Sequence, residues 1–191
     1  MTGHPLRSSP RLTLARAFAA RSHKGFPRKG TNFPYVVHPL EVARIIAKYY
    51  PAKEDLIIAA LLHDTIEDTP VTASEISVAF GSQVAALVVG VTSSRGTSWR
   101  ATRSATLAKL AGASPDVVRL KLADSLSNIL SLRRDIRAHG ASACYAKFKS
   151  SSPADIAWYH SSIGELAARR LGPEPMVAEH RALVAALWPT K

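Results

Sequence analysis

Apolar residues recur along most of the chain at three- and four-residue spacing, the period of one helix face rather than the alternation of a half-buried strand. In 11–22, Leu12, Ala15 and Ala19, with Leu14 and Phe18, fall at that spacing, and the alanine content favours a first helix ending near Gly25. Val42, Ile45, Ile46 and Tyr49 give a second helix an apolar face; Pro39 suits its first position and Pro51 stops it. Between Glu54 and Glu67 the run Leu56 to Leu62 is apolar on nearly every side, which predicts a helix surrounded by others in a core.

Capping chemistry marks further starts. Thr72 with Glu75 three residues on forms a capping-box pattern, and Ser114-Pro115-Asp116 and Ser152-Pro153 each pair a cap residue with proline in the first turn. Val84 to Val91 is rich in valine, yet its alanines and its helical neighbours predict helix. Helices are then expected over 99–110, 116–132, 136–148, 154–171 and 174–187, with surface loops at 25–39 and 93–98. The expected fold is all-α, one helical bundle of about nine to ten helices spanning 1–191, its core about 11–171 and its C-terminal helix about 174–187.

Composition narrows the function. A chain of 191 residues with 47% hydrophobic and 20% charged residues is expected to fold on its own as one domain. With one cysteine, Cys144, no intrachain disulfide or cysteine-based zinc site can form, so any metal must be held by His, Asp or Glu. The longest apolar run, Leu56 to Leu62, falls far short of the roughly 18 residues of a membrane span, and no secretory stretch opens the chain; a cytoplasmic protein is expected. The net charge of +11 attracts polyanions such as nucleic acids, nucleotides or acidic membranes without choosing among them.

The chemistry concentrates in His63-Asp64-Thr65-Ile66-Glu67-Asp68. Helical spacing would set His63 over Glu67 and Asp64 over Asp68, at a helix C-terminus whose partial negative charge disfavours carboxylates. A bound cation would remove that conflict; a solvated helix end would also leave acids there. Asp124, flanked by Leu122, Leu126 and Ile129, falls at or beside a buried face and needs a partner, either a cation such as Lys121 or Arg119 or a metal. His38, directly before Pro39, suits a cap, a packing role or a ligand.

Taken together, His38-Pro39, His63-Asp64 with Glu67-Asp68, and Asp124 with Asn128 resemble the HD-domain metal phosphohydrolases, and within them the small alarmone hydrolases of the RelA/SpoT homologue family. The likeness runs from about Leu14 to Ala168 and includes Arg28-Lys29, Pro34-Tyr35, Phe80-Gly81, Val91-Thr92 and Lys121-Leu122-Ala123. It implies that His38, His63, Asp64 and Asp124 ligate one divalent metal, usually manganese, although iron, cobalt or zinc suit two imidazoles and two carboxylates as well. Such an ion lowers the pKa of water and neutralises charge on a phosphoryl oxygen. Glu67 and Asp68, one turn beyond the doublet, would then orient water and move protons, with Glu67 the expected base and Asp68 its helper.

The same resemblance implies removal of the 3′-pyrophosphate of guanosine tetra- or pentaphosphate, releasing pyrophosphate and GDP or GTP, with Arg28, Lys29, Arg100 and Asn128 binding the nucleotide. Relatives typically carry acidic residues and lysine where Ser93-Ser94-Arg95-Gly96 stand, and lysine and tyrosine where Ser125 and Ser127 stand. Those departures touch the nucleotide pocket, so an adenosine alarmone, or another nucleotide ester such as NADPH with its 2′-phosphate, is an alternative substrate. From another class, a nucleic-acid-binding helical module would use the net charge but leave the His and Asp cluster unexplained.

Overall fold

The structure, a computed structural model, describes residues 9–26, 34–93 and 96–189. Eleven helices and no strand element occur among the described residues, so the all-α expectation holds with slightly more helices than anticipated. No described helix is long and apolar enough to cross a membrane. Backbone contacts divide the chain into two units, Met1–Thr92 and Ser93–Lys191.

The first unit holds α1 (Pro10–Ser22), α2 (Val37–Tyr49), α3 (Glu54–Leu62), α4 (Thr65–Asp68), α5 (Ala73–Phe80) and α6 (Ser82–Val91). Helix α3 lies at its centre, packed against α1, α2 and α6, with every residue from Leu56 to Leu62 buried. Each large aliphatic side chain placed there stabilises the fold by about 1.5–3 kcal/mol relative to an exposed one. Arg11 ties α1 to this centre through Glu54 and Asp55, both at 2.8 Å, and through the Phe80 carbonyl at 3.0 Å. Thr72 and Glu75 make the expected capping box, and Gly81, at φ 97°, makes the turn from α5 to α6 in a region that side chains avoid.

Two boundaries differ from expectation. Helix α2 begins at Val37, so Pro39 is its third residue; it is tolerated because the first four helical amides have no intrahelical partner. The helix expected over 54–67 stops at Leu62 and restarts at Thr65. The cause is competition for its last carbonyls: the His63 ring bonds the Ala60 carbonyl at 2.8 Å, and the Thr65 hydroxyl donates to the Leu62 carbonyl at 2.7 Å. Asp64, at φ −97° and ψ −4°, forms the joint.

The second unit holds α7 (Trp99–Ala111), α8 (Pro115–His139), α9 (Ala141–Tyr145), α10 (Pro153–Leu171) and α11 (Pro175–Leu187). Ser114 and Ser152 cap α8 and α10 as expected, each followed by proline. Helix α8 packs against α9, α10 and α11, and seven successive residues, Lys121 to Ser127, are buried. The separate helices expected over 116–132 and 136–148 are instead one 25-residue helix and the short α9. Arg133, Arg134 and Asp135 are compatible with helix, and the first residue that stops it is Gly140 at φ 81°.

Candidate metal centre

The break after α3 determines how the first unit presents its donors. The Ala60 carbonyl can only accept, so His63 Nδ1 carries a hydrogen, and in the neutral ring Nε2 presents its lone pair. That Nε2 lies 3.1 Å from Asp64 Oδ2, and His38 Nε2, from the first turn of α2, lies 3.7 Å from the same oxygen. Both imidazoles are buried, with ring centres 5.1 Å apart. A lone pair facing a carboxylate oxygen at that distance is repulsive until a proton or metal cation comes between them. Two imidazole nitrogens and a carboxylate suit a divalent first-row ion, and the bond from His63 to a backbone carbonyl is the usual outer support of a histidine ligand.

Tyr35 joins this group of the first unit. Its hydroxyl donates to Asp64 Oδ2 at 2.6 Å, and burial together with the negative charge of Asp64 raises its pKa well above the phenol range, so it remains a donor. Asp68, at the end of α4, faces the same group: desolvation of its carboxyl and the charge of Asp64 raise its pKa from the ordinary value. Glu67, on the preceding position, and Asp68 are both exposed residues. With the helix broken, the expected stacking of His63 over Glu67 and Asp64 over Asp68 on one continuous helix is replaced by a joint, although the Asp68 amide still donates to the Asp64 carbonyl at 2.9 Å.

In the second unit Asp124 is buried in the middle of α8. Lys121 Nζ bonds its Oδ2 at 2.8 Å and Asn128 Nδ2 its Oδ1 at 2.7 Å. Lys121 is the cation partner; Arg119 is engaged with Asp116 and Glu174. Burial opposes the Lys121 charge, but Asp124 and Tyr159 outweigh it and raise its pKa. Next along α8, Ser125 Oγ lies 2.7 Å from His160 Nδ1 and 2.8 Å from His180 Nε2, joining α8 to α10 and α11.

Of the expected nucleotide contacts, Arg28 and Lys29 lie outside the described residues. Arg100 pairs with Asp155 at 2.7 Å and stacks over Trp158 at 4.0 Å. Asn128 is exposed and bonded to Asp124. Two features escaped sequence reasoning. Tyr35 was visible beside His38 but had no assigned role; its signal was a tyrosine three residues before a candidate ligand. Ser125, His160 and His180 left no local signal, because they meet across 35 and 55 residues of chain.

The helical fold and its two-histidine, one-carboxylate donor set are those of a metal-dependent HD domain. Residues 15–150 match the HD domain family, and the chain belongs to it. It is 38% identical over 135 residues to the guanosine-3′,5′-bis(diphosphate) 3′-pyrophosphohydrolase of Aquifex aeolicus, covering 69% of this chain and 19% of that protein. The chain thus spans about a fifth of that relative's length. To the human guanosine-3′,5′-bis(diphosphate) 3′-pyrophosphohydrolase MESH1 it is 38% identical over 125 residues, 64% of this chain and 70% of the human one. The solved structure of a metazoan ortholog of SpoT shares the fold, with a TM-score of 0.73 at 23% identity over 95% of this chain and 97% of that one.

Proposed function

We propose that this protein hydrolyses the 3′-pyrophosphate of (p)ppGpp, releasing pyrophosphate and GDP or GTP, as a cytoplasmic enzyme using one divalent ion, manganese by preference. The observation that carries the proposal is Asp64 Oδ2, approached by the nitrogens of two buried histidines in an arrangement that calls for a cation. His38, His63 and Asp64 would hold that ion together with Asp124 of the second unit, the ligand set that the family resemblance implies. When bound, the ion supplies acidity to water and charge neutralisation to a phosphoryl oxygen.

The rest is work for side chains of the chain itself. Tyr35 keeps Asp64 oriented. Glu67 accepts a proton from the water that attacks the phosphorus on the ribose 3′ oxygen. As the bond between that phosphorus and oxygen breaks, Asp68, whose raised pKa suits a proton carrier, gives a proton to the departing 3′ oxygen, which becomes the ribose 3′ hydroxyl. Arg28, Lys29, Arg100 and Asn128 bind the nucleotide, and the net charge of +11 draws a polyphosphate toward them.

The test is to incubate the purified chain with manganese and ppGpp, pppGpp, ppApp and NADPH and to identify the products. Pyrophosphate with GDP or GTP is expected, abolished by chelator and by Glu67→Ala with unchanged circular dichroism. Faster turnover of ppApp would move the substrate to adenosine alarmones; orthophosphate from NADPH alone would make it a 2′-phosphatase. No hydrolysis of any of them with manganese loaded would remove the proposal.

A further inference from the structure

Asp124 and Lys121 raise a question that metal binding leaves open. A buried carboxylate without a partner costs several kcal/mol. Where a metal is the sole partner, folding waits for the metal. Here the carboxylate has one cation built into its own helix. Lys121 precedes Asp124 by three residues, so both lie on one face of α8, and Nζ reaches Oδ2 at 2.8 Å. Both residues are buried, amid Leu120, Leu122, Ala123 and Leu126.

We infer that Lys121 is the metal-free counter-ion of Asp124: it neutralises the carboxylate before the divalent ion binds, so that α8 and its neighbours fold independently of metal loading. The inference rests on the proposed ligand role of Asp124. It has a second consequence. Lysine and metal ion draw on the same carboxylate charge, so Lys121 lowers metal affinity in return for a stable metal-free protein. Asn128 Nδ2, on Oδ1 at 2.7 Å, orients the carboxylate in both states without adding charge.

The experiment compares the full chain, Lys121→Met, Asp124→Asn and the double variant by thermal melting with chelator or with excess manganese, and by manganese titration calorimetry. In chelator, Lys121→Met is expected to melt roughly 10 °C lower. Manganese should restore most of that loss, and calorimetry should show at least about fivefold tighter manganese binding than in the parent chain. The double variant has no buried charge to neutralise and should melt well above Lys121→Met in chelator, even if Lys121→Met is recovered only with manganese present. Equal loss with and without manganese, unchanged or weaker affinity, or a double variant no more stable than Lys121→Met would overturn the inference. Asp124→Asn tests the underlying assignment separately: wild-type manganese affinity in that variant would show that Asp124 is no ligand, whatever Lys121 does.

Discussion

Replacing Ser125 by alanine tests the tightest buried polar junction in the second unit. One hydroxyl serves two buried rings, His160 Nδ1 at 2.7 Å and His180 Nε2 at 2.8 Å, and has one hydrogen to give. It therefore donates to one ring and accepts from the other. His180 Nδ1 is buried and makes no hydrogen bond, which costs less as a lone pair than as an N–H. The chain of bonds thus runs from His180 Nε2–H to Ser125 Oγ, and from Ser125 Oγ–H to His160 Nδ1. Alanine orphans a donor and an acceptor, at about 1–3 kcal/mol each, so a loss of about 3 kcal/mol is expected, or a fall in Tm of about 6–12 °C for a chain of this size. Urea unfolding followed by circular dichroism measures it, and 15N shifts of the two imidazoles report the tautomers. A loss below about 1 kcal/mol, or a hydrogen on His180 Nδ1, would refute the reasoning.

Gly164 faces the same junction: a Cβ there would sit 2.9 Å from His180 Nδ1, so Gly164→Ala, ordinarily helix-stabilising, should instead cost about 1–3 kcal/mol in urea unfolding. Burial depresses His160 to about 4 and His180 to about 3, against an unfolded value near 6.5. Their contribution is therefore complete above pH 6.5 and is lost as pH falls through those folded values. His180→Leu should flatten the dependence of stability on pH between 6 and 4 by about 1.4 kcal/mol per pH unit, and an unchanged slope in urea titrations would contradict this. Tyr35→Phe removes the donor to Asp64 at 2.6 Å and should weaken manganese binding about 10- to 100-fold in calorimetry while leaving the helix content intact.

What could be read from the sequence was what is local. The Thr72–Glu75 box and the serine-proline starts of α8 and α10 depend on residues within one turn of each other, and all three formed. The buried centre of α3 was equally legible, because seven successive apolar residues have no polar side to expose. The break at His63 was not, since it depends on which carbonyls a ring and a hydroxyl reach once the helix exists. The continuity of α8 escapes the pattern for the opposite reason: the expected helices over 116–132 and 136–148 leave the charged stretch Arg133 to Asp135 between them, although nothing in it resists helix. The junction at Ser125 joins three helices and has no expression in residue spacing at all.

Because Leu56 to Leu62 of α3 are apolar on every side, hydrophobic burial alone is almost indifferent to how that stretch is rotated about its axis. One residue inserted between Leu56 and Leu62 would swing everything after it by about 100°, exchanging one aliphatic face for another while turning His63 and Asp64 away from His38. Swaps among leucine, isoleucine and alanine alter the fit of this segment; a change in its length alters its aim. For this helix, counting matters more than spelling.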